Sequence, residues 1–148
     1  MAFVSTYLNY MGKTEEAFDF YASIFQVEES PRFWRFSDTP PMPGGPELSE
    51  AEQSMMMHAE LKIIGGHTLM ATDMLESMGH QVKIGNNTTI SLSLDSEAEA
   101  DRIYAAFAEG STEFSPMMQM PWGYWGTALD RYGIRWMFNV DLNRTFSE

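Results

Sequence analysis

The residues best suited to chemistry are His58, Glu60 and Lys62, which follow one another at intervals of two. This spacing places side chains on the same face of a β-strand. An imidazole titrates near neutral pH, so His58 could act as a general base oriented by the Glu60 carboxylate. The alternative is a surface ion pair, because charges that alternate along a strand are usual on a solvated face. We predict His58 and Glu60 as the candidate catalytic pair.

Arg135 is a second candidate, because its planar guanidinium can hold a carboxylate or phosphate through two hydrogen bonds. A structural salt bridge, for instance to Glu60 or Asp130, is the alternative. Aromatic side chains that could stack on a planar ligand are Phe33, Trp34, Trp122 and Trp125. We favour packing for these rings, since aromatic residues supply much of the buried area in cores and interfaces. Asp130 precedes Tyr132 and Gly133 and is expected to shape a turn.

The first half of the chain has the pattern strand, helix and three strands. Residues 2–11 are rich in β-branched and aromatic residues and predict a strand, and apolar positions at helical spacing predict a helix over 14–25. A short strand is predicted at 30–36. Residues 39–54 hold too many prolines and glycines for any regular element. Runs at 55–63 and 67–73, separated by Gly65 and Gly66, predict a hairpin.

The second half repeats this order. Residues 88–95 predict a strand, Ser96 and Glu99 form the pattern of a capping box, and Gly110 is placed to stop the helix. Three further strands are predicted at 113–118, 124–130 and 134–140. The sequence therefore predicts an α+β fold built from two tandem βαβββ modules, at about residues 1–75 and 86–141, within one domain over 1–148.

The two modules can be aligned residue by residue. Gly66 to Thr72 lie under Gly133 to Asn139 without a gap, which makes Met70 equivalent to Met137. The strands before the helices align Thr6 with Thr89. If apolar residues face the helices, the positions expected to face the other way are Thr6, Leu8, Tyr10, Thr68, Met70, Thr72, Thr89, Ser91, Ser93, Arg135, Met137 and Asn139. On the third strand, Met57, Ala59 and Leu61 are expected to form the apolar face.

Composition excludes several classes of function. The chain has no cysteine, which removes disulfides, thiolate metal sites and a cysteine nucleophile. The net charge of -12 disfavours nucleic acid and anionic membrane surfaces as partners. No export signal or membrane span is recognised, so we expect a cytoplasmic protein.

Three segments resemble one known family. EEAFDFY in the first helix, MHAELKIIGGHTLMATD at 57–73 and PWGYWGTALDRYGIRWMFN at 121–139 resemble the PhnB-like branch of the glyoxalase, bleomycin-resistance and dioxygenase (vicinal oxygen chelate) superfamily. The resemblance implies two half-barrels around a cavity, binding of a small organic molecule and a homodimer. It also brings a demethylubiquinone methyltransferase label, which we discount because no glycine-rich nucleotide loop follows a strand.

Metal-dependent members of that superfamily hold a divalent ion with His, Glu or Gln from the first and last strand of each module. Carrying those positions over gives Thr6, Met70, Thr89 and Met137. Hydroxyl and thioether groups are poor ligands for such ions, so we predict neither a metal nor another cofactor. The expected function is metal-free binding of a small molecule, with Thr6, Tyr10, Met70, Thr89, Ser91, Trp122, Arg135 and Met137 as ligand-binding candidates. An enzyme with a relocated metal, or with His58 and Glu60 in acid-base chemistry, remains the alternative.

Overall fold

The computed structural model describes residues 1–142 and divides the chain into two compact units, Met1–Lys83 and the part from Ile84 onward. The predicted modules fall one in each unit. Unit 1 contains β1 (Thr6–Tyr10), α1 (Thr14–Phe25), β2 (Arg32–Arg35), α2 (Glu50–Gln53), β3 (Met56–Lys62) and β4 (Thr68–Asp73). Unit 2 contains β5 (Ile90–Ser93), α3 (Glu97–Ala108), β6 (Phe114–Met120), β7 (Gly123–Leu129) and β8 (Arg135–Asp141). The α+β class and the twofold βαβββ order are confirmed.

Each unit contains one four-stranded mixed sheet, and the two sheets have the same connectivity. The strand order is β1-β4-β3-β2 in sheet 1 and β5-β8-β7-β6 in sheet 2. In each sheet the strand before the long helix pairs in parallel with the last strand of the module, and the other pairs are antiparallel. Tyr7 is thereby paired with Met70, and Ser91 is paired with Met137.

The long helix of each unit buries its apolar stripe on one face of its own sheet. Phe18 and Tyr21 of α1 are fully buried, as are Leu69 and Ala71 of β4. In unit 2, Phe107 of α3 stacks on Trp136 with ring centroids 4.7 Å apart. Ser96 caps α3 as predicted, since its hydroxyl accepts a hydrogen bond from the backbone N–H of Glu99. Among the described residues, no helix combines the length and the apolar character needed to cross a membrane.

Two local predictions are wrong. The proline-rich segment 39–54 contains one turn of helix, α2, because Ser49 and Glu52 form a reciprocal capping box after the last proline. On β3 the core residue at the strand start is Met56, not Met57. The pairing of β3 with β2 skips Met57, which makes a bulge, and residues before a bulge change face.

Two buried carboxylates fix the ends of strands. Asp73, at the end of β4, accepts hydrogen bonds from the backbone N–H and the hydroxyl of Thr14 and from the backbone N–H of Met56. It thereby joins the start of α1 to the start of β3. Asp130 accepts from the backbone N–H groups of Tyr132 and Ile134, as the turn prediction requires, and from the indole N–H of Trp136.

We predict that Asp73→Ala destabilises the protein by about 2 to 4 kcal/mol, because buried donors on Thr14 and Met56 lose their acceptor. Urea unfolding measures the effect. The control is Asp19→Ala on the exposed side of α1. Partial desolvation and the nearby Glu15 charge raise the pKa of the Asp19 carboxyl, so its negative charge does not stabilise the fold. The control should change the unfolding free energy by no more than about 0.5 kcal/mol. Equal effects of the two substitutions would refute the role of Asp73.

Candidate functional site

One face of sheet 1 packs against α1, and the other carries a group of polar and aromatic side chains. Cross-strand partners point to the same side of a sheet, so the partners of buried Leu69 and Ala71 face α1 and those of Met70 face away. We call the side away from α1 the outward face of sheet 1. Its strand residues are Tyr7, Asn9, Arg32, Trp34, His58, Glu60, Lys62, Thr68, Met70 and Thr72.

Four of these side chains form a continuous hydrogen-bonded chain, which we call the relay. The Tyr7 hydroxyl lies 3.1 Å from Nδ1 of His58, and Nε2 of His58 lies 3.2 Å from Oε1 of Glu60. The other carboxylate oxygen of Glu60 accepts a hydrogen bond from the Arg32 guanidinium. The relay therefore connects β1, β2 and β3 across the outward face. His58 and Glu60 are brought together as predicted.

The relay is only partly open to solvent. The side chains of His58 and Glu60 are 24% and 21% exposed, whereas that of Arg32 is 69% exposed. Tyr7, at the opposite end of the relay from Arg32, is also open to solvent, with 48% of the residue exposed. Partial burial raises the pKa of the Tyr7 hydroxyl, with a side-chain hydrogen bond between Tyr7 and Thr72 acting in the opposite direction. Tyr7 is therefore a neutral phenol at physiological pH.

Aromatic rings border the relay on the same face. The Trp34 and His58 ring centroids are 5.4 Å apart, and the Tyr7 and His58 centroids are 5.7 Å apart. The Arg32 guanidinium carbon lies 5.5 Å from the centre of the Trp34 ring, within the range of a cation–π contact. Trp34 thus packs beside the imidazole and borders the exposed end of the relay.

The orientation predicted for β1 is wrong by one residue. Tyr10 is only 2% exposed and its hydroxyl contacts that of Tyr21 on α1 at 3.1 Å, so it belongs to the core. Leu8 is buried on the same side. Thr6 shares this side as the partner of Leu69, and its hydroxyl contacts Nε2 of His67 at 2.8 Å. Tyr7, rather than Thr6, is the residue of β1 beside Met70 on the outward face.

The orientations predicted for β5 and β8 are confirmed where burial tests them. On β5, Leu92 is buried and Ser91 and Ser93 are exposed. On β8, Trp136 and Phe138 are buried on the side of α3, which leaves Arg135, Met137 and Asn139 on the other side. The alignment of Thr6 with Thr89 is wrong, because the partner of Met137 is Ser91, just as the partner of Met70 is Tyr7.

The resemblance would place metal ligands on the first and last strands of each unit, at Tyr7 and Met70 in unit 1 and at Ser91 and Met137 in unit 2. Phenol, hydroxyl and thioether groups are poor ligands for hard or borderline divalent cations, so neither pair fits such an ion. Within residues 1–142, no group of three or more His, Asp or Glu side chains is arranged to hold a metal.

Two candidates in unit 2 differ in exposure, since Arg135 is largely buried in a salt bridge and Trp122 is open to solvent. The Arg135 guanidinium donates to Oε2 of Glu113 at 2.6 Å and to the carbonyl oxygen of Gly85 at 3.4 Å, and its side chain is 19% exposed. It therefore makes a structural salt bridge, although with neither of the partners that we expected. Trp122 is 52% exposed and lies edge-on to Trp125, with ring centroids 6.0 Å apart.

Sequence reasoning missed Tyr7 and Arg32 as members of the site. Both reach His58 and Glu60 only through strand pairing, and no local pattern marks Arg32. The signal that could have identified Tyr7 is the alternation of Leu8 and Tyr10 with polar neighbours, which predicts that the apolar pair lies in the core.

Comparisons with known proteins agree on the family. A family model described as 3-demethylubiquinone-9 3-methyltransferase matches residues 2–138. The chain is similar to the structure of protein PA1353 from Pseudomonas aeruginosa, with 29% identity and a TM-score of 0.78 over 95% of this chain and 98% of the other. No curated protein matches the chain significantly.

More distant structures share the fold. A putative 3-demethylubiquinone-9 3-methyltransferase, a PhnB protein from Bacillus cereus, has 22% identity and a TM-score of 0.73 over 94% of this chain and 99% of the other. A glyoxylase/bleomycin resistance protein/dioxygenase domain from Frankia sp. EAN1pec has 16% identity and a TM-score of 0.58 over 95% and 96% of the two chains. Because the family match spans nearly the whole sequence, the chain belongs to the 3-demethylubiquinone-9 3-methyltransferase family of PhnB-like proteins, which has the glyoxalase/bleomycin-resistance fold.

Proposed function

We propose that the protein binds a small organic molecule on the outward face of sheet 1 and does so without a divalent metal. The observation that carries this proposal is the relay of Tyr7, His58, Glu60 and Arg32 beside the Trp34 ring. Binding sites for small molecules combine aromatic surface with a few fixed polar groups that set orientation. The relay supplies such groups, because each of its side chains is hydrogen-bonded to another member of the relay.

The chemistry of this face favours a flat ligand with a polar end. Trp34 on β2 offers a ring for packing, and Met70 adds a polarisable thioether on β4, with β3 between the two strands. The Tyr7 hydroxyl and the His58 imidazole can each exchange a hydrogen bond with a ligand. For unit 2, taken by itself, Thr89, Ser91, Met137 and Trp122 stay candidates for ligand contacts. Thr6 and Tyr10 are not retained because they lie on the side of α1, and Arg135 is assigned to its salt bridge with Glu113.

The proposed absence of a metal rests on the chemistry of the donors. In each unit, the two positions that the resemblance assigns to metal ligands hold poor donors: Tyr7 and Met70 in unit 1, and Ser91 and Met137 in unit 2. A metal relocated to His58 and Glu60 would have two protein ligands, whereas zinc usually takes three or four. Glu60 is moreover already engaged by Arg32.

An enzyme is the second candidate, and the contact of His58 with Glu60 at 3.2 Å favours it. A carboxylate that orients an imidazole is a common arrangement for general acid-base catalysis. Methyl transfer, which the description of the family names, is not supported. The turns between strand and long helix are Met11-Gly12-Lys13 and Leu94-Asp95-Ser96, and neither is the glycine-rich turn of a nucleotide site. Homodimerisation, a cytoplasmic location and the absence of nucleic-acid and membrane partners stay predictions from the sequence.

We predict that untagged protein contains far less than one divalent metal per chain. Zn, Mn, Ni and Fe(II) should not raise the melting temperature in a manner that depends on His58, because no complete ligand set is present. Elemental analysis and thermal-shift titration of the wild type and of His58→Ala test this. Near-stoichiometric metal, with a rise in melting temperature that His58→Ala abolishes, would make a relocated-metal enzyme the better interpretation.

A second prediction concerns Trp34. In a panel of small aromatic acids, amides and amines, the binders should shift the indole N–H signal of Trp34 and the methyl signal of Met70 in NMR spectra. Trp34→Ala should weaken binding about three- to tenfold, which is the usual range for one lost aromatic contact.

The control is Phe114→Ala, which removes an exposed aromatic ring from the other unit and should leave binding unchanged. A panel in which no compound shifts the Trp34 signal, or in which Trp34→Ala binds as tightly as the wild type, would remove the outward face of sheet 1 from consideration.

A further inference from the structure

Hydrogen-bond directions in the relay are set by Glu60. A carboxylate only accepts hydrogen bonds, and Oε2 of Glu60 already accepts one from the Arg32 guanidinium. Nε2 of His58 must therefore carry the proton in its contact with Oε1 of Glu60. In the neutral imidazole Nδ1 is then the acceptor, and the Tyr7 hydroxyl donates its proton to it across 3.1 Å. Tyr7 consequently offers only oxygen lone pairs to the surroundings.

Protonation of His58 reverses one of these bonds. Nδ1 then carries a proton and donates to the Tyr7 oxygen, so the hydroxyl proton of Tyr7 turns away and becomes available to a ligand. No side chain has to move, since the same 3.1 Å contact serves both directions. Gain of one proton thus converts Tyr7 from an acceptor into a donor and adds a positive charge beside it.

The charges around His58 favour an anionic ligand. The titratable and charged groups next to it are Tyr7 on β1, Arg32 on β2 and Glu60 on its own strand. Met70 and Thr72 of β4, on the same face, do not titrate. With Lys62 included, this face has two fixed cations and one carboxylate, although the whole chain has a net charge of -12. A locally positive face on an acidic protein favours an anion at that place.

We propose that the outward face of sheet 1 binds an aromatic organic anion, with the carboxylate or equivalent oxyanion accepting from the Tyr7 hydroxyl, and that binding takes up one proton at His58. The aryl part of the anion packs on Trp34. This inference rests on the proposed binding function and adds the ligand class and the coupling to pH. Tyr7 is the specificity-determining residue, and His58 acts through it as a positioning residue.

Benzoate is the test probe, with benzamide as its neutral counterpart of nearly equal shape. Titration calorimetry between about pH 5.5 and 8.5, in buffers with different heats of ionisation, gives the affinity and the number of protons taken up. We expect benzoate to bind more tightly than benzamide. Toward the alkaline end of this range, the Kd of benzoate should rise by about tenfold per pH unit, with uptake of about one proton.

Two variants separate the roles. Tyr7→Phe should weaken benzoate binding at least about tenfold at every pH, since a hydrogen bond to a charged group is lost. His58→Gln should remove the pH dependence. The matched controls are Tyr104→Phe in the other unit and His80→Gln in an exposed turn, and both should retain wild-type binding. Circular dichroism verifies folding, and the pH profile of the wild type tests the coupling without any variant.

Three outcomes overturn the inference: equal affinity for benzoate and benzamide, a benzoate affinity that does not change with pH, or unchanged binding in folded Tyr7→Phe. If neutral aromatic compounds still shift the Trp34 signal, the proposed binding function survives and only the ligand class is wrong. If neither benzoate nor any member of the panel shifts that signal, the proposed function fails as well.

Discussion

The parallel pairing of β1 with β4 is the constraint on which the rest of unit 1 depends. It places Tyr7 beside Met70 and Leu8 beside Ala71, and in a strand a shift by one residue exchanges the two faces completely. With the observed register, Leu8 and Tyr10 complete the core under α1, and Tyr7 reaches His58 on the opposite side. The relay exists because three strands are held in register at once, with Asp73 joining the end of β4 to α1 and β3.

Much of the fold could be predicted from the sequence because its signals are local. The helix over Thr14–Phe25 has a regular apolar stripe, and the Ser96 cap marks the start of α3. The repeat of the module follows from the matching last strands. The bulge at Met57 could not be predicted, because it arises from pairing with β2. The one-turn helix was missed because the many prolines in the segment before it argued against any regular element.

The site was predictable only in part. His58 and Glu60 share one strand, so their spacing was sufficient to bring them together. β1 was harder to orient, because Thr6, Tyr7, Leu8 and Tyr10 supply hydroxyl and apolar groups at both parities. The burial of Tyr10 against Tyr21 fixes the orientation of β1. This contact joins a strand to a helix, so no pattern within β1 alone shows it. The partner of Arg135 was equally inaccessible, since Glu113 lies at the start of a strand that is not adjacent to β8.

The two modules can be compared position by position. Glu60 faces Met70 across the hairpin of unit 1, and Thr127 faces Met137 across the hairpin of unit 2, so these positions correspond. Two residues earlier, His58 corresponds to Trp125. The same arrangement of strands is thus built once with an imidazole and a carboxylate and once with an indole and a hydroxyl. The sheet of unit 2 forms without an imidazole and a carboxylate at these positions, so the fold by itself does not account for the pairing of His58 with Glu60 in unit 1.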